Sequence, residues 1–295
     1  MINKTFKPSA GSRTFDIFNH LFLVLLCAAM IYPLFYLAML SITSPEVSLT
    51  KGYFIPPKMT LDNYINVLAN RYIKYGFMNT VLRTCLGTAA GVAVTVMTSY
   101  ALSKRYFPNR KFWTAMIVFT MFFSGGMIPS YLVNRQLGLY DNFLVLILPG
   151  LIHTYNMLIA RNFFMGLPEE LSESGRIDGA GEARILFSII LPISLPIIAT
   201  LCLWIAVSHW NAWFDSMLYF KDPKKQVLQL VLRRIVLEGS DDMMLLGAAA
   251  DESMSANPET IKAATTLVAT IPIVCVYPFV QKYFVKGMVV GSLKG

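Results

Sequence analysis

Apolar runs close to twenty residues long, separated by short polar breaks, constrain this chain more than any other feature. They recur at about 17–40, 77–103, 112–133, 142–163, 190–213 and 261–284. Such a run is long enough to cross the hydrocarbon core of a bilayer as a helix, the form in which a segment satisfies its own backbone polar groups. Hydrophobic residues make up 55% of the 295 and charged residues only 14%, a balance that soluble domains rarely show. The pattern predicts an all-α polytopic membrane protein with about six transmembrane helices, residues 1–295 forming one membrane domain.

The basic N-terminal stretch leads into a run from Leu21 to Leu40. That is too long for a cleaved signal core and reads as a retained first span, with Pro33 tolerated inside it. Segment 41–75 is polar, is broken by Pro45, Gly52, Pro56 and Pro57, and ends in an amphipathic run expected to lie outside along the membrane surface. Arg83, near the start of the second span, reads as a side chain snorkelling to the interface in preference to a substrate contact. The hairpin from Lys104 to Lys111 is the sharpest basic cluster, and short basic loops stay on the cytoplasmic side. Alternation then places both termini and the 164–190 loop inside. Lysines and arginines divide almost evenly between the two sides on that topology, so orientation rests on the hairpin.

In the third span Gly125, Gly126 and Pro129 interrupt the helix. Either a re-entrant or surface piece lining a pathway or a plain loop fits there. The fourth span carries His153, Tyr155 and Asn156, with Arg161 at its inner end, and the fifth ends in Ser208-His209-Trp210-Asn211-Ala212-Trp213-Phe214. The two tryptophans suit an interfacial aromatic belt. His209, Asn211 and the Trp210 indole also offer hydroxyl partners beside a flat apolar face, the chemistry of sugar recognition. Asn156, His209, Trp210 and Asn211 are therefore candidates for a substrate path, weighed against that plainer reading. Segment 215–260 is the longest polar stretch, long enough to reach an extracytoplasmic partner.

Between the fourth and fifth spans lies Pro168–Pro196, rich in charge. Proline followed by Glu169 and Glu170 marks a helix start, and Gly175, Gly179 and Gly181 predict two short helices with a tight bend between them. Small residues at Ser174, Gly175, Gly179 and Ala180 leave backbone open to close approach. A docking knob and an ordinary polar loop both fit this composition.

Glu173, Gly179, Ile189, Leu191 and Pro192 stand at the spacing of the EAA loop, and Ile177-Asp178-Gly179-Ala180 resembles its IDGA form. The chain thereby resembles permease subunits of binding-protein-dependent ABC importers with the MetI-like fold. The Phe123–Pro129 run, Glu182–Phe187, His209–Asn211 and the Lys282–Gly287 ending resemble the MalG-like carbohydrate branch, nearest its LplC/YtcP type. Ser174 and Gly175 replace the two alanines of the motif, and both are small enough to keep close packing. The resemblance implies an oligosaccharide importer driven by ATP, its substrate possibly derived from a complex or acidic polysaccharide. It implies a heterodimer with a second homologous permease in a bacterial cell membrane and an extracytoplasmic solute-binding protein meeting the 215–260 loop. Two ATPase subunits, carrying the ATP and Mg, would dock at about 165–192 through Glu173, Ser174, Gly175, Asp178, Gly179, Ala180, Ile189, Leu191 and Pro192.

The sequence holds no phosphate-binding G-x-x-x-x-G-K-[ST] loop, so ATP hydrolysis is not expected on this chain and it does not read as an enzyme. Three histidines without paired spacing predict no metal site, and Cys27, Cys85, Cys202 and Cys275 read as buried structural thiols. The net charge of +8 is better explained by basic residues flanking spans than by nucleic acid. An ion-coupled secondary transporter would need acids within the spans, which are nearly free of them. A non-transporting membrane assembly protein remains open, distinguished by whether uptake depends on ATP.

Overall fold

The computed structural model describes residues 10–47, 54–235 and 257–292. Among them are helices, short 3₁₀ turns and one isolated antiparallel bridge, Thr43 to Met59, in place of any sheet. In chain order the helices are α1 (Ala10–Ser41), α2 (Asp62–Ala69), α3 (Arg71–Ser103), α4 (Arg110–Phe122), α5 (Met127–Gln136) and α6 (Thr154–Met165). They continue as α7 (Glu170–Ile177), α8 (Glu182–Ile193), α9 (Leu195–Asn211), α10 (Phe214–Tyr219), α11 (Leu228–Arg233) and α12 (Pro258–Ser292). The framework divides into two compact units.

The first unit holds α1, α2 and the opening turns of α12. Asn63 organises it from a fully buried position. Its amide donates to the carbonyls of Ser41 (2.8 Å) and Thr43 (2.9 Å), and its carbonyl accepts from the Thr260 hydroxyl (3.1 Å). One side chain thus satisfies the end of α1 and fastens it to α2 and α12, which is how a buried amide avoids a desolvation penalty.

The second unit is built around α3. Asn70 caps this helix, its side-chain oxygen accepting from the amides of Tyr72 and Ile73. Gly76, Thr80, Arg83, Gly87, Gly91, Thr95 and Ser99 recur at three- and four-residue steps and all are buried. This stripe, mostly of small residues, lets neighbouring helices approach the α3 backbone, the usual way membrane helices gain packing energy. A Cβ on Gly87 would fall 2.5 Å from His209 Nε2, one on Gly91 3.3 Å from Ile205, and one on Gly76 3.0 Å from the Leu228 backbone. The α3 stripe therefore receives α9 and α11 directly, and Ser99 reaches α6 by donating to the Met157 carbonyl at 3.0 Å.

Among the described residues, α1 and α3 are the single helices long and apolar enough to cross a membrane, and three further bent pairs qualify when each is taken as one span. The expected third, fourth and fifth spans are bent. α4 and α5 turn by 117°, the 143–150 turns and α6 by 51°, and α8 and α9 by 87°. Gly126 at φ 86° with Pro129 beyond it makes the first bend, and Ser194 between Pro192 and Pro196 makes the last. The expected sixth span lies on α12, which runs through Pro272 and Pro278 as one helix.

One expectation is corrected here, that of the cysteines. The first part of the long polar segment is itself folded: over residues 215–235 α10 and α11 fold back, burying Tyr219, Val227, Leu228, Leu230 and Val231. The Leu228 amide donates to Thr80 Oγ1 of α3 at 2.8 Å. Residues 236–256 of that expected loop lie outside the described residues. The cysteines are not buried thiols, since Cys27, Cys85 and Cys275 are exposed and Cys202 is half-buried. The three exposed thiols lie on α1, α3 and α12, and an apolar thiol on a membrane helix can face lipid.

Candidate coupling site and membrane cavity

The Pro168–Pro196 segment folds as two short helices meeting at a tight turn. α7 ends in a Schellman arrangement: the Ala180 amide donates to the Gly175 carbonyl (2.9 Å) and the Gly179 amide to the Arg176 carbonyl (3.0 Å). That closure puts Gly179 at φ 77°, a left-handed conformation that glycine adopts without strain. After the turn α8 starts at Glu182 and widens into a π-type turn over Ile185–Ile190.

The nine coupling residues read from the sequence sort onto two faces. Glu173, Ser174, Asp178 and Gly179 are exposed. Beside them Ile177 is 86% exposed, a large apolar side chain left to water on the most prominent part of the loop. Gly175 faces inward, where a Cβ would meet Ile189 Cδ1 at 2.9 Å and Ile185 Cγ1 at 3.1 Å. Ala180, Ile189 and Leu191 pack against a core of Val96, Tyr100, Phe164, Ile185, Ile190 and Leu201, drawn from α3, α6, α8 and α9. Pro192 remains exposed near the end of α8. The loop is thus a polar, partly apolar outer face mounted on a packed base.

Charged and aromatic side chains brace that base against the end of α3. Glu182 accepts from Arg176 Nε at 2.9 Å and from the Tyr100 hydroxyl at 3.0 Å. Arg176 also donates to the Tyr106 hydroxyl at 2.6 Å, with its guanidinium 4.7 Å from the centre of that ring. Lys104 donates to Ser172 Oγ at 2.7 Å and lies over the Tyr100 ring. Burial raises the Glu182 carboxyl, but the hydrogen bonds from Arg176, Tyr106 and Tyr100 outweigh it and hold its pKa below the ordinary glutamate value. Burial, then the neighbouring Glu182, raises the Tyr106 phenol. The basic hairpin, read from sequence as a topology signal, is therefore also part of the loop's mounting. Arg176 and Glu182 lie six residues apart with opposite charge, the trace of this brace in the sequence.

A cavity of about 440 Å³ opens at the other end of α3, lined by polar groups that include Arg83, Ser130, Asn134, His153, His209 and Asp215. Arg83 does not snorkel. It is 3% exposed and forms a two-armed ion pair with Asp215, Nη1 to Oδ1 at 2.9 Å and Nη2 to Oδ2. A third contact runs from Nη1 to the Ala212 carbonyl (3.3 Å). With its charge paired inside the protein, the side chain gains nothing by reaching for an interface. His209 is buried against Gly87, its Nδ1 accepting from Arg83 Nε at 3.4 Å.

Of the four substrate-path candidates only His209 lines the cavity. Trp210 is buried, its indole donating to the Ala269 carbonyl (3.3 Å) and its ring edge-on to Phe77. Asn211 is exposed and donates back to the Val207 carbonyl, while Asn156 is buried on α6 and is not among the residues that line the cavity. The Arg83–Asp215 pair escaped the sequence reading. An arginine within one apolar run and an aspartate just past another were its only trace.

Comparisons with known proteins identify the family. The profile of the binding-protein-dependent transport system inner membrane component family matches residues 111–290. Protein LplC of Bacillus subtilis (strain 168) is 40% identical over 99% of this chain and 98% of its own. The polygalacturonan/rhamnogalacturonan transport system permease protein YtcP of the same organism is 39% identical, covering 96% of this chain and 99% of its own. Among solved structures, a chain of a bacterial ABC transporter involved in the import of the acidic polysaccharide alginate superposes with a TM-score of 0.89. It is 31% identical and is matched over 95% of this chain and 100% of its own.

Proposed function

This chain belongs to the binding-protein-dependent transport system inner membrane components, and from that premise we propose that it carries oligosaccharides released from an acidic polysaccharide into a bacterial cell. It is the permease subunit of an ABC import system. In our reading it pairs with a second, homologous permease, and two ATPase subunits bind ATP and Mg beneath the pair. One ATPase receives the outer face of α7, with Glu173, Ser174 and Asp178 as polar contacts, Ile177 as the apolar anchor and Gly179 forming the bend. A solute-binding protein meets the opposite side of the membrane, where residues 215–260 begin. Both termini and the Lys104–Lys111 hairpin then lie on the ATPase side. Asn156, His209, Trp210 and Asn211 stay with the proposal as substrate-path residues, and His209 has the best claim because it borders the cavity.

The exposed, conformationally fixed outer face of α7 carries this reading. Closure of an ATPase dimer would move a rigid helix mounted on packed spans and shift the importer between inward-open and outward-open states. The acidic class of sugar follows from what the YtcP relative and the alginate importer are named for.

Gly179 supplies the test. A β-branched residue at φ 77° is strained by roughly 1–2 kcal/mol, while asparagine accepts left-handed backbone far more readily. Gly179→Val is expected to reach the membrane and lose ATP-driven uptake of labelled oligogalacturonate, and Gly179→Asn is expected to retain most of it. Equal uptake by both variants would remove the turn from the coupling path.

A further inference from the structure

The Glu182 carboxylate ties together three elements that only the fold brings into contact. Tyr100 comes from the last turn of α3, Tyr106 from the hairpin after it, and Arg176 from α7, while Glu182 itself opens α8. Lys104, next to the end of α3, adds the contact to Ser172 on the buried face of α7. Without these side chains, α7 would be joined to the membrane helices by its chain connections and by the packing of Gly175 on α8. With them it is also clamped to α3, the helix whose small-residue stripe receives α6, α9 and α11.

We propose that Glu182 is a positioning residue that locks the coupling helix α7 onto the end of α3, so that α3 is the span an ATPase stroke displaces. The proposal rests on the importer reading. The carboxylate has two oxygens and several donors converging from separate elements, so it fixes α7 in orientation as well as in position. Arg176, stacked on Tyr106 while bonded to Glu182, removes the remaining swing of the helix end. A force applied to the exposed face of α7 then reaches α3 through side chains directly and need not pass only through the Asp178–Gly181 turn.

The test places spin labels at Glu170→Cys, on α7 but outside the proposed docking contacts, and Met97→Cys, both exposed, in a chain otherwise freed of cysteine. With Glu182 intact, one narrow distance is expected, unchanged when ATP is added to the assembled complex. Glu182→Gln is expected to broaden it, and Tyr100→Phe, which deletes a single hydroxyl, to broaden it less. In liposomes, Glu182→Gln is expected to keep the ATPase bound and hydrolysing while oligogalacturonate taken up per ATP falls by at least about fivefold, the low end of site-to-site coupling. A role limited to stability would lower hydrolysis and uptake together and leave that ratio unchanged, which overturns the proposal. Equal distance distributions in Glu182→Gln and the parent chain also overturn it. If no ATPase accompanies the parent chain, the importer reading falls, and the distance measurement on the purified chain still decides whether Glu182 fixes α7.

Discussion

Gly175 shows how closely a single hydrogen atom is accommodated at the base of the coupling loop. The EAA pattern places an alanine there, and this chain has glycine beneath Ile189. An added methyl would stand 2.9 Å from Ile189 Cδ1, the far end of a flexible side chain, and 3.1 Å from Ile185 Cγ1, so the site yields by shifting those side chains. Gly175→Ala alone is expected to cost roughly 1 kcal/mol, the lower end for overpacking a tight core, seen as a lower melting temperature in detergent. Ile189→Val removes the obstructing methyl, and the double variant is expected to recover most of the loss. A double variant no better than the single would mean that the strain lies elsewhere, for instance at Ile185. Gly179, by contrast, has nothing within 4 Å of its would-be Cβ, and there the constraint comes from backbone conformation alone.

At the scale of elements, the Arg83–Asp215 pair joins the first half of α3 to the start of another helix. Nothing about either residue in isolation suggests stability, because desolvating two charges consumes much of what their attraction returns. The asymmetry lies in breaking the pair. Arg83→Met leaves the partly covered Asp215 alone beside His209, and Asp215→Asn leaves a buried guanidinium without its counter-charge. Each is expected to lose about 3 kcal/mol, and Arg83→Met with Asp215→Leu to lose much less, as chemical denaturation in detergent would reveal. Additive single losses would show that the two side chains act independently. The pair also fastens the carbonyl of Ala212, so the singles should loosen the turn between α9 and α10 that forms one wall of the cavity.

For the molecule as a whole, the all-helical membrane architecture was legible because apolar run length and backbone satisfaction leave few alternatives. The short helix, turn and second helix of the coupling loop were equally legible, since proline, glutamate and glycine each act through local backbone preference. The bends between α4 and α5 and between α8 and α9 were visible as Gly126, Pro192 and Pro196, but not the angles, which packing sets. The packing of residues 215–235 was not visible in the sequence, because charges at Lys221, Lys224 and Lys225 mask the apolar Val227–Leu232 run that lies on α3. Arg83 was misread for a related reason. Its partner stands 132 positions away, and a sequence viewed in local windows cannot pair charges across that distance.

That same separation has a consequence for how the protein is made. The ribosome delivers α3, with its arginine, long before Asp215 has been synthesised. During that interval the segment enters the bilayer with an unneutralised guanidinium, whose penalty grows with depth towards about 2.5–3.5 kcal/mol at the centre of an inserting helix. The nascent span is therefore a hesitant one, dependent on waiting at the insertion machinery or on a neighbour until the later helix arrives. Chains stopped before residue 215 are expected to show incomplete integration of α3 by glycosylation mapping, and chains extended past residue 220 to show full integration. Arg83→Leu should abolish the difference, making entry of this helix into the membrane independent of a residue translated 132 positions later.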